Sequence, residues 1–185
     1  MIGHTPENEE TGPIHADGGD PRFIADAMLG KLARWLRVLG CDVEYFPSIG
    51  DEEVVARAAR AGRLILTRDT LLVRRRGARN NHFFVVGDHF RDQLRQVVVH
   101  FAIDPTDRFL TRCLECNSLL VEIGKSAVRD MVPPYVYATQ EVFRSCPSCG
   151  RLYWQGTHRQ RMAREVEEIL KPRLYPHKGN NQRMP

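Results

Sequence analysis

The chain has 185 residues, enough for one domain with a hydrophobic core or for a modest domain beside a small metal-stabilised one. Hydrophobic residues make up 42% and charged residues 27%, as in ordinary soluble proteins, and no apolar run is long enough for a transmembrane helix. Lys and Arg outnumber Asp and Glu by only 27 to 23, so net charge alone does not establish nucleic-acid binding.

The N-terminal segment, residues 1–21, is polar, acidic and interrupted by glycine and proline. It lacks the basic and then apolar layout of a signal peptide. We therefore predict a disordered arm over residues 1–21 and, as the default for a chain without such a signal, a cytoplasmic location.

Short apolar segments alternate with segments of helical periodicity between residues 23 and 101. The predicted strands are Phe23–Ala25, Val43–Phe46, Leu64–Leu66 and His82–Val86. The predicted helices are Leu29–Leu39 ended by Gly40, Asp51–Ala61 ended by Gly62, a short helix with Leu71 and Leu72, and Phe90–Phe101. On the first helix, Lys31, Arg34 and Arg37 are predicted to lie opposite the apolar face. This alternation predicts an α/β protein with a mostly parallel sheet flanked by helices.

An aspartate stands at each predicted strand-to-helix turn: Asp26, Asp51, Asp69 and Asp88. Right-handed crossovers bring these turns to the carboxyl edge of the sheet, where open α/β sheets bind their ligands. Aspartate is also a favoured helix N-cap, so each residue taken singly has a purely structural interpretation. Serine, threonine and asparagine cap about as well, however, and four aspartates in four turns therefore favour a shared site.

Several carboxylates at one edge repel each other unless a cation offsets their charge. Mg²⁺ and Mn²⁺ prefer carboxylate and water oxygens, and one or two bound ions can activate water and stabilise charge on a phosphodiester. Lys31, Arg34 and Arg68 lie near this edge in sequence and are candidate phosphate-binding residues, although each alone is more simply a surface side chain. The pattern favours a catalytic Mg²⁺ or Mn²⁺ site.

Other chemistries on such a sheet lack their sequence signals. Neither G-x-G-x-x-G nor G-x-x-x-x-G-K-[ST] occurs, so dinucleotide and P-loop sites have no phosphate-binding loop. A phosphoryl-accepting role for Asp26 is weakly supported, because comparable phosphotransferases carry a second aspartate where this chain has Met28.

Four of the five cysteines form two C-x₂-C knuckles, Cys113-x-x-Cys116 and Cys146-x-x-Cys149, separated by a long insert. Four thiolates at this spacing fit a closed tetrahedral zinc site, whereas two disulfides fit poorly with the missing signal peptide. No open coordination position is indicated, so we predict a structural zinc ion that stabilises a small ribbon. Cys41 is predicted to be a buried apolar residue.

Aromatic and basic residues surround the knuckles and extend toward the C-terminus. Near the knuckles they are Tyr135, Tyr137, Phe143, Arg144, Arg151, Tyr153, Trp154 and His158. Such residues stack on single-stranded nucleic acid, but a small β-ribbon also needs aromatic side chains to cover its interior. The surplus of Lys and Arg beyond Gln155 likewise fits either a phosphate-binding tail or a solvated helix face.

Five segments carry motifs that resemble a known family. They are F-I-A-D-A-M-L-G-K-L-A-R-W-L-R-V-L-G (Phe23–Gly40), L-I-L-T-R-D (Leu64–Asp69), R-C-L-E-C-N (Arg112–Asn117), V-P-P-Y-V-Y (Val132–Tyr137) and C-P-S-C-G-R-L-Y-W-Q-G-T-H (Cys146–His158). In this order, from Phe23 to about Met162, they resemble the Mut-7 C-terminal ribonuclease family, which joins a PIN-like nuclease domain to a zinc ribbon.

The resemblance implies a PIN-like fold whose acidic residues bind Mg²⁺ or Mn²⁺ at the carboxyl edge for RNA cleavage. Asp26 and Asp69 fall on the motifs. Asp51 matches the acidic start of the second helix, where Glu52 or Glu53 could serve instead.

Asp88 is the weakest match to the family. Such sequences often have a Ser-Asp-Asp-like stretch after the fourth strand, whereas this chain has Val86-Gly87-Asp88. We predict a PIN-like domain over residues 22–104, a four-cysteine zinc ribbon over 108–158 and a basic helical or flexible tail over 159–185.

The predicted function is a metal-dependent ribonuclease whose zinc ribbon assists RNA binding. An endonuclease is favoured, because nothing in the sequence builds a pocket for a strand end. The alternative is a non-catalytic RNA- or ribosome-binding adaptor that uses the ribbon. RNA is the predicted partner, a protein inhibitor and the ribosome are further candidates, and the oligomeric state is left open.

Overall fold

The computed structural model describes residues 21–106 and 108–171. The larger unit of the fold is a sheet of four short strands, β1 (Phe23–Ala25), β2 (Val43–Tyr45), β3 (Leu64–Thr67) and β4 (His82–Phe84). The order across the sheet is β2-β1-β3-β4, and every neighbouring pair is parallel. The predicted parallel α/β architecture is therefore confirmed. The predicted arm before residue 21 and the predicted tail beyond residue 171 lie outside the described residues.

Helices follow three of the four strands. They are α1 (Gly30–Val38), which follows β1 after a 3-10 turn (Ala27–Leu29), α2 (Asp51–Ala61) after β2, and α3 (Phe90–His100) after β4. The helix predicted after β3 is only a 3-10 turn, Leu72–Arg74, because the segment before Gly77 is too short to offset the cost of helix nucleation. None of the described helices is long and apolar enough to span a membrane.

Successive residues of the central strands face opposite sides of the sheet and build two cores. Phe23 and Ala25 pack in the core that includes α1 and α3, whereas Ile24 and Ile65 pack in the core that includes α2. Because both faces are covered, β1 is buried along its whole length, which explains its uninterrupted apolar sequence.

The smaller unit is an antiparallel sheet with the order β5-β6-β7. Its strands are β5 (Val121–Ile123), β6 (Phe143–Ser145) and β7 (Leu152–Trp154), and α4 (Pro134–Thr139) lies between β5 and β6. Val128, Val132 and Phe143 form its small buried core. So few buried side chains supply little stability, which fits a module that relies on a metal.

The last described helix, α5 (Thr157–Leu170), returns from the ribbon to the parallel-sheet unit. Its apolar residues Met162, Val166 and Ile169 are buried in the core shared with α1 and α3, and it packs against α3. This part of the predicted tail is therefore an amphipathic helix with a buried face.

Gly40 marks the close approach between the end of α1 and the segment that leads to the ribbon. Its φ of +83° lies in the left-handed region, and an added Cβ would stand 2.3 Å from the carbonyl oxygen of Arg108. Only glycine fits both the conformation and the space.

Candidate active site and metal centre

Asp26 and Asp69 follow the two central strands of the parallel sheet. Asp26 comes directly after β1, and Asp69 lies two positions after the end of β3, the strand that neighbours β1. The chain runs from β1 outward to β2 and then crosses to β3 on the other side, so this is the topological switch point of the sheet. Open α/β sheets form ligand sites at the carboxyl edge beside such a point.

Asp26 is held in one orientation by neutral hydrogen bonds. Its side chain is buried, with only 5% of the residue exposed. Oδ1 accepts a 2.7 Å bond from the backbone N–H of Met28 and caps the 3-10 turn, and Oδ2 accepts a 2.6 Å bond from the hydroxyl of Thr67. The carboxylate is thus an N-cap whose two oxygens are fixed at the sheet edge, which makes it a candidate metal ligand.

Thr67 links the two central aspartates and was not singled out by the sequence analysis. It is fully buried, and its Oγ1 both donates to Asp26 and accepts a 2.9 Å bond from the backbone N–H of Asp69. Asp69 Oδ1 in turn accepts a 2.7 Å bond from the N–H of Leu71. The signal available in the sequence was a polar residue at the end of an otherwise apolar strand.

The two outer aspartates, Asp51 and Asp88, are paired with arginines. Asp51 Oδ2 lies 3.4 Å from Nε of Arg75, and Asp88 is hydrogen-bonded to Arg68. The Asp88 side chain is 85% exposed. Exposed ion pairs contribute about 0–1 kcal/mol, so either pair can open at little cost.

The two alternative acidic residues at the start of α2 are also engaged. Glu52 lies 3.4 Å from the same Arg75 that contacts Asp51, and Glu53 pairs with Arg57 and Arg60 of its own helix at 2.7 Å and 3.2 Å. Of the two, Glu52 is the one that shares the environment of Asp51.

The donor set at the switch point fits a hard divalent cation. In the part of the chain that the structure describes, neither Asp26 nor Asp69 has an ion-pair partner, and their bonds come from neutral groups. A buried carboxylate with no positive partner is costly unless a cation offsets its charge. The four aspartates do not converge into a preformed cluster; among the described residues, only the cysteines form a group of three or more potential ligands.

Each predicted phosphate-binding residue has a partner within the protein. The ammonium of Lys31 lies 4.0 Å from the ring centroid of Phe90, and Arg34 pairs at 2.6 Å with Glu115, which lies within the first knuckle. The guanidinium of Arg34 lowers the pKa of Glu115 below its usual value. Arg68 is paired with Asp88. All three cations lie at the surface, where an RNA phosphate can compete with their partners.

The four knuckle cysteines converge on one point. The sulfurs of Cys113, Cys116, Cys146 and Cys149 all lie within 4.8 Å of one another. Cys113 and Cys149 are 3.6 Å apart, Cys116 and Cys146 are 3.3 Å apart, and none is in a disulfide. Zn–S bonds of about 2.3 Å in a tetrahedron put sulfurs about 3.8 Å apart, so the spacing suits zinc.

Hydrogen bonds favour the thiolate form of Cys116, one of the four clustered cysteines. Burial disfavours the Cys116 thiolate, but bonds with Ser118 and the neighbouring cysteines outweigh it and lower the pKa of Cys116 to about 6. Tyr153 Oη lies 3.1 Å from Cys113 Sγ and accepts a 3.1 Å bond from the N–H of Leu114. Metal-binding cysteines need such partners, because the thiolate is the ligand.

The first knuckle is fastened to the parallel-sheet unit by buried polar groups. Arg37 was predicted to lie opposite the apolar face but is only 3% exposed, and it donates to the carbonyls of Val43, Leu114 and Glu115 at 2.9, 3.0 and 2.8 Å. Asn117 accepts from the N–H of Val43 at 3.0 Å. The cysteine cluster and β2 are therefore parts of one hydrogen-bonded junction.

The aromatic residues near the knuckles divide into two groups. Phe143 is fully buried in the ribbon core, and Tyr153 is bonded to the cysteine cluster. Tyr135 and Trp154 remain 77% and 37% exposed. Phe143 therefore covers the interior of the ribbon, whereas stacking on nucleic acid stays a prediction for Tyr135 and Trp154.

Comparison with known families gives one match that covers most of the chain. The family model described as the Mut7-C RNAse domain matches residues 21–166. No curated protein matches the chain.

Proposed function

Because this chain belongs to the Mut7-C RNAse domain family, we propose that it is a divalent-metal-dependent ribonuclease that hydrolyses RNA phosphodiester bonds at the carboxyl edge of its parallel sheet. The observation that carries the proposal is the Asp26–Thr67–Asp69 arrangement at the switch point between β1 and β3. Two fixed carboxylates without a positive partner among the described residues are what a catalytic Mg²⁺ or Mn²⁺ requires.

The chain's own residues would prepare the reaction in two ways. Asp26 and Asp69 present oxygens whose orientation is fixed by Thr67 and by backbone N–H groups. Asp51 and Asp88 can join them when their arginines turn to the RNA. A divalent ion held there would activate a water molecule and offset charge on the phosphate.

The released arginines supply the second component of the proposed site. Arg68 and Arg75 now neutralise the outer aspartates, and both stand at the edge where the phosphate backbone would approach. Exchanging a carboxylate partner for a phosphate keeps each guanidinium paired, because both anions accept bidentate hydrogen bonds from arginine. Entry of RNA and metal together would therefore replace the outer ion pairs without leaving an unpaired charge.

Zinc has a structural part in this proposal. Cys113, Cys116, Cys146 and Cys149 would hold it, and the closed four-sulfur set leaves no position for substrate. The ribbon would then assist RNA binding beside the acidic edge, which is the carboxyl edge of the parallel sheet with Asp26, Asp51, Asp69 and Asp88. We propose that the protein is cytoplasmic and that it cuts within RNA strands.

Cleavage of a panel of structured and single-stranded RNAs with added Mn²⁺ or Mg²⁺ tests the proposal. Wild type should cut, and the double variant Asp26→Asn/Asp69→Asn should not, while Asp130→Asn, which changes an exposed aspartate of the ribbon, should cut like wild type. Zinc content should be equal in all three proteins.

The remaining outcomes separate the proposal from its rivals. Equal cleavage by wild type and the double variant would mean that the acidic edge is not the active site. RNA binding without cleavage by any of the proteins would favour the adaptor function.

A further inference from the structure

A cavity of about 530 Å³ lies where the ribbon meets the start of α5. Its walls include Phe109 before the first knuckle, Tyr135 of α4 and Trp154 at the end of β7. The volume falls within the range of about 300–1,000 Å³ that is typical of ligand pockets. None of the four aspartates of the acidic edge lines this cavity, so it is a separate feature of the surface.

The charge of the cavity wall has one sign. Arg34, Arg144 and Arg159 line it, and no aspartate or glutamate does. Arg144 forms no ion pair with any other residue in the described ranges, and Arg159 lies 5.6 Å from the ring centroid of Phe109. Among the described residues, Arg34 pairs with Glu115 alone, and this pair is exposed. The wall is therefore complementary to an anionic occupant.

The aromatic side chains of the cavity are accessible. Tyr135 is 77% exposed and Trp154 is 37% exposed, although large aromatic side chains normally gain by burial. Exposed aromatic faces beside arginines are the combination on which single-stranded nucleic acid stacks its bases while its phosphates are paired. A purely apolar occupant would not use the positive charge of the three arginines.

We propose that this cavity binds a nucleotide of single-stranded RNA, with its base stacked on Trp154 and its phosphate paired with Arg144 or Arg159. The inference rests on the proposed ribonuclease function and assigns the cavity as a substrate subsite away from the cut. It accounts for the exposed aromatic residues, which neither the ribbon core nor the zinc cluster uses.

Arg34 connects this subsite to the acidic edge. It lines the cavity from the first turns of α1, the helix that follows Asp26. At a rise of about 1.5–2.0 Å per residue, the chain between Asp26 and Arg34 spans about 12–16 Å. One RNA strand can therefore occupy the cavity and still reach the aspartates, so the subsite would select single-stranded substrate and hold it near the cut.

Tryptophan fluorescence tests the subsite directly. The chain has two tryptophans, so Trp35→Phe leaves Trp154 as the single reporter. An oligouridine or oligoadenosine decamer is titrated into this zinc-loaded variant without added Mg²⁺ or Mn²⁺, which prevents cleavage. Saturable quenching of Trp154 is expected, and the pair Arg144→Glu/Arg159→Glu should weaken it.

Anisotropy of a labelled decamer supplies the second readout. Trp154→Ala should weaken binding about five- to 150-fold, the range for loss of one stacked base. Leu119→Ala and Arg129→Glu change exposed ribbon residues outside the cavity and should bind like wild type. Zinc content verifies that each variant is folded.

Three results would overturn the subsite. The first is decamer binding with unchanged Trp154 emission, and the second is wild-type affinity in Trp154→Ala. The third is quenching by an acidic peptide but not by RNA, which would indicate a protein partner. Because the assay needs no cleavage, quenching in a protein that never cuts RNA would reject the proposed ribonuclease while retaining the subsite.

Discussion

The two candidate metal sites of this protein are assembled in different ways. The cysteine sulfurs come from two local knuckles and lie within 4.8 Å of one another. The acidic edge draws on four separate turns, of which the fold joins the central two through Thr67 and leaves the outer two paired with arginines. The local spacing of the cysteines is thus enough to assemble their site. The strand order only brings the aspartates near one another, and their final arrangement depends on the bound metal and substrate.

This difference fits the two different roles that we propose for the sites. A closed set of four sulfurs beside a three-residue core is suited to stabilising the fold. Carboxylates that are only partly gathered are suited to binding a metal together with a substrate. Loss of the first site should therefore affect stability, and loss of the second should affect activity with the fold retained.

The largest effect is expected from Cys146→Ser. Structural zinc contributes about 10–16 kcal/mol in small modules, comparable with the whole stability of a domain. The ribbon should unfold and, because Arg37 bonds the knuckle to β2, the melting temperature of the whole protein should fall by more than about 10 °C. Zinc analysis, limited proteolysis and thermal denaturation measure this; a ribbon that stays protease-resistant without zinc would contradict it.

Asp26→Asn should have the opposite effect, with stability largely retained and RNA cleavage lost. The amide keeps the size of the side chain, its oxygen can accept from the N–H of Met28 and its NH₂ group can donate to the hydroxyl oxygen of Thr67, so the melting temperature should shift by no more than about 2–4 °C. Single-turnover RNA cleavage should fall by more than about 100-fold. Removal of a group that hydrogen-bonds a metal ligand usually lowers activity about 10- to 100-fold, and removal of the ligand itself should lower it further. A parallel loss of stability and activity would show that Asp26 acts only as a helix cap.

Thr67→Val tests the link between the central aspartates. It removes the hydroxyl but keeps the shape, so cleavage and Mn²⁺ affinity should fall about 10- to 100-fold. Thr67→Ser retains the hydroxyl and should recover most of both. If serine and valine reduce Mn²⁺ affinity equally, packing and not the hydrogen bond is what matters.

Asp42 provides the smallest and most pH-dependent effect. Burial opposes its ionisation, but bonds from Arg63 at 2.6 Å and Asn117 at 2.7 Å outweigh it and lower the pKa of Asp42. A lowered folded-state pKa stabilises the protein at neutral pH, and this stabilisation is lost as the pH falls below the unfolded value of about 3.9.

The Asp42→Asn variant measures that contribution. It should lower the free energy of unfolding by about 1–3 kcal/mol at pH 7, and its difference from wild type should narrow as the pH falls through about 4. Urea titrations of both proteins at the same pH measure this difference. Because any metal bound by the cysteines would be lost from both proteins in acid, that effect cancels in the difference. A difference that stays constant with pH would exclude the ionised carboxylate as its source.

Much of the fold followed from local sequence patterns. The four parallel strands and the helix ends at Gly40 and Gly62 were predicted, because apolar periodicity and left-handed glycine are local signals. The family suggested by the motifs is confirmed by the match over residues 21–166. The proposed domain boundaries and the roles of the aspartates stay predictions.

The interactions missed by sequence analysis join distant segments. Arg37 follows Ala33 by one helical turn and therefore shares its buried face, but the carbonyls that satisfy it belong to Leu114 and Glu115. Thr67 acquires its importance only when β3 lies beside β1. The sequence around a residue does not indicate a partner from a distant segment. The exposed aromatic residues could not be distinguished from the buried ones for the same reason, because their burial depends on distant segments.

Calorimetry of Mn²⁺ binding tests the central claim most directly, namely that the aspartates at the switch point form the catalytic metal site. Mn²⁺ is titrated into zinc-loaded wild type, Asp26→Asn/Asp69→Asn and Asp51→Asn/Asp88→Asn. Saturable heat in wild type, none in the central pair variant and weakened binding in the outer pair variant are predicted. Wild-type binding by the central pair variant would contradict the claim.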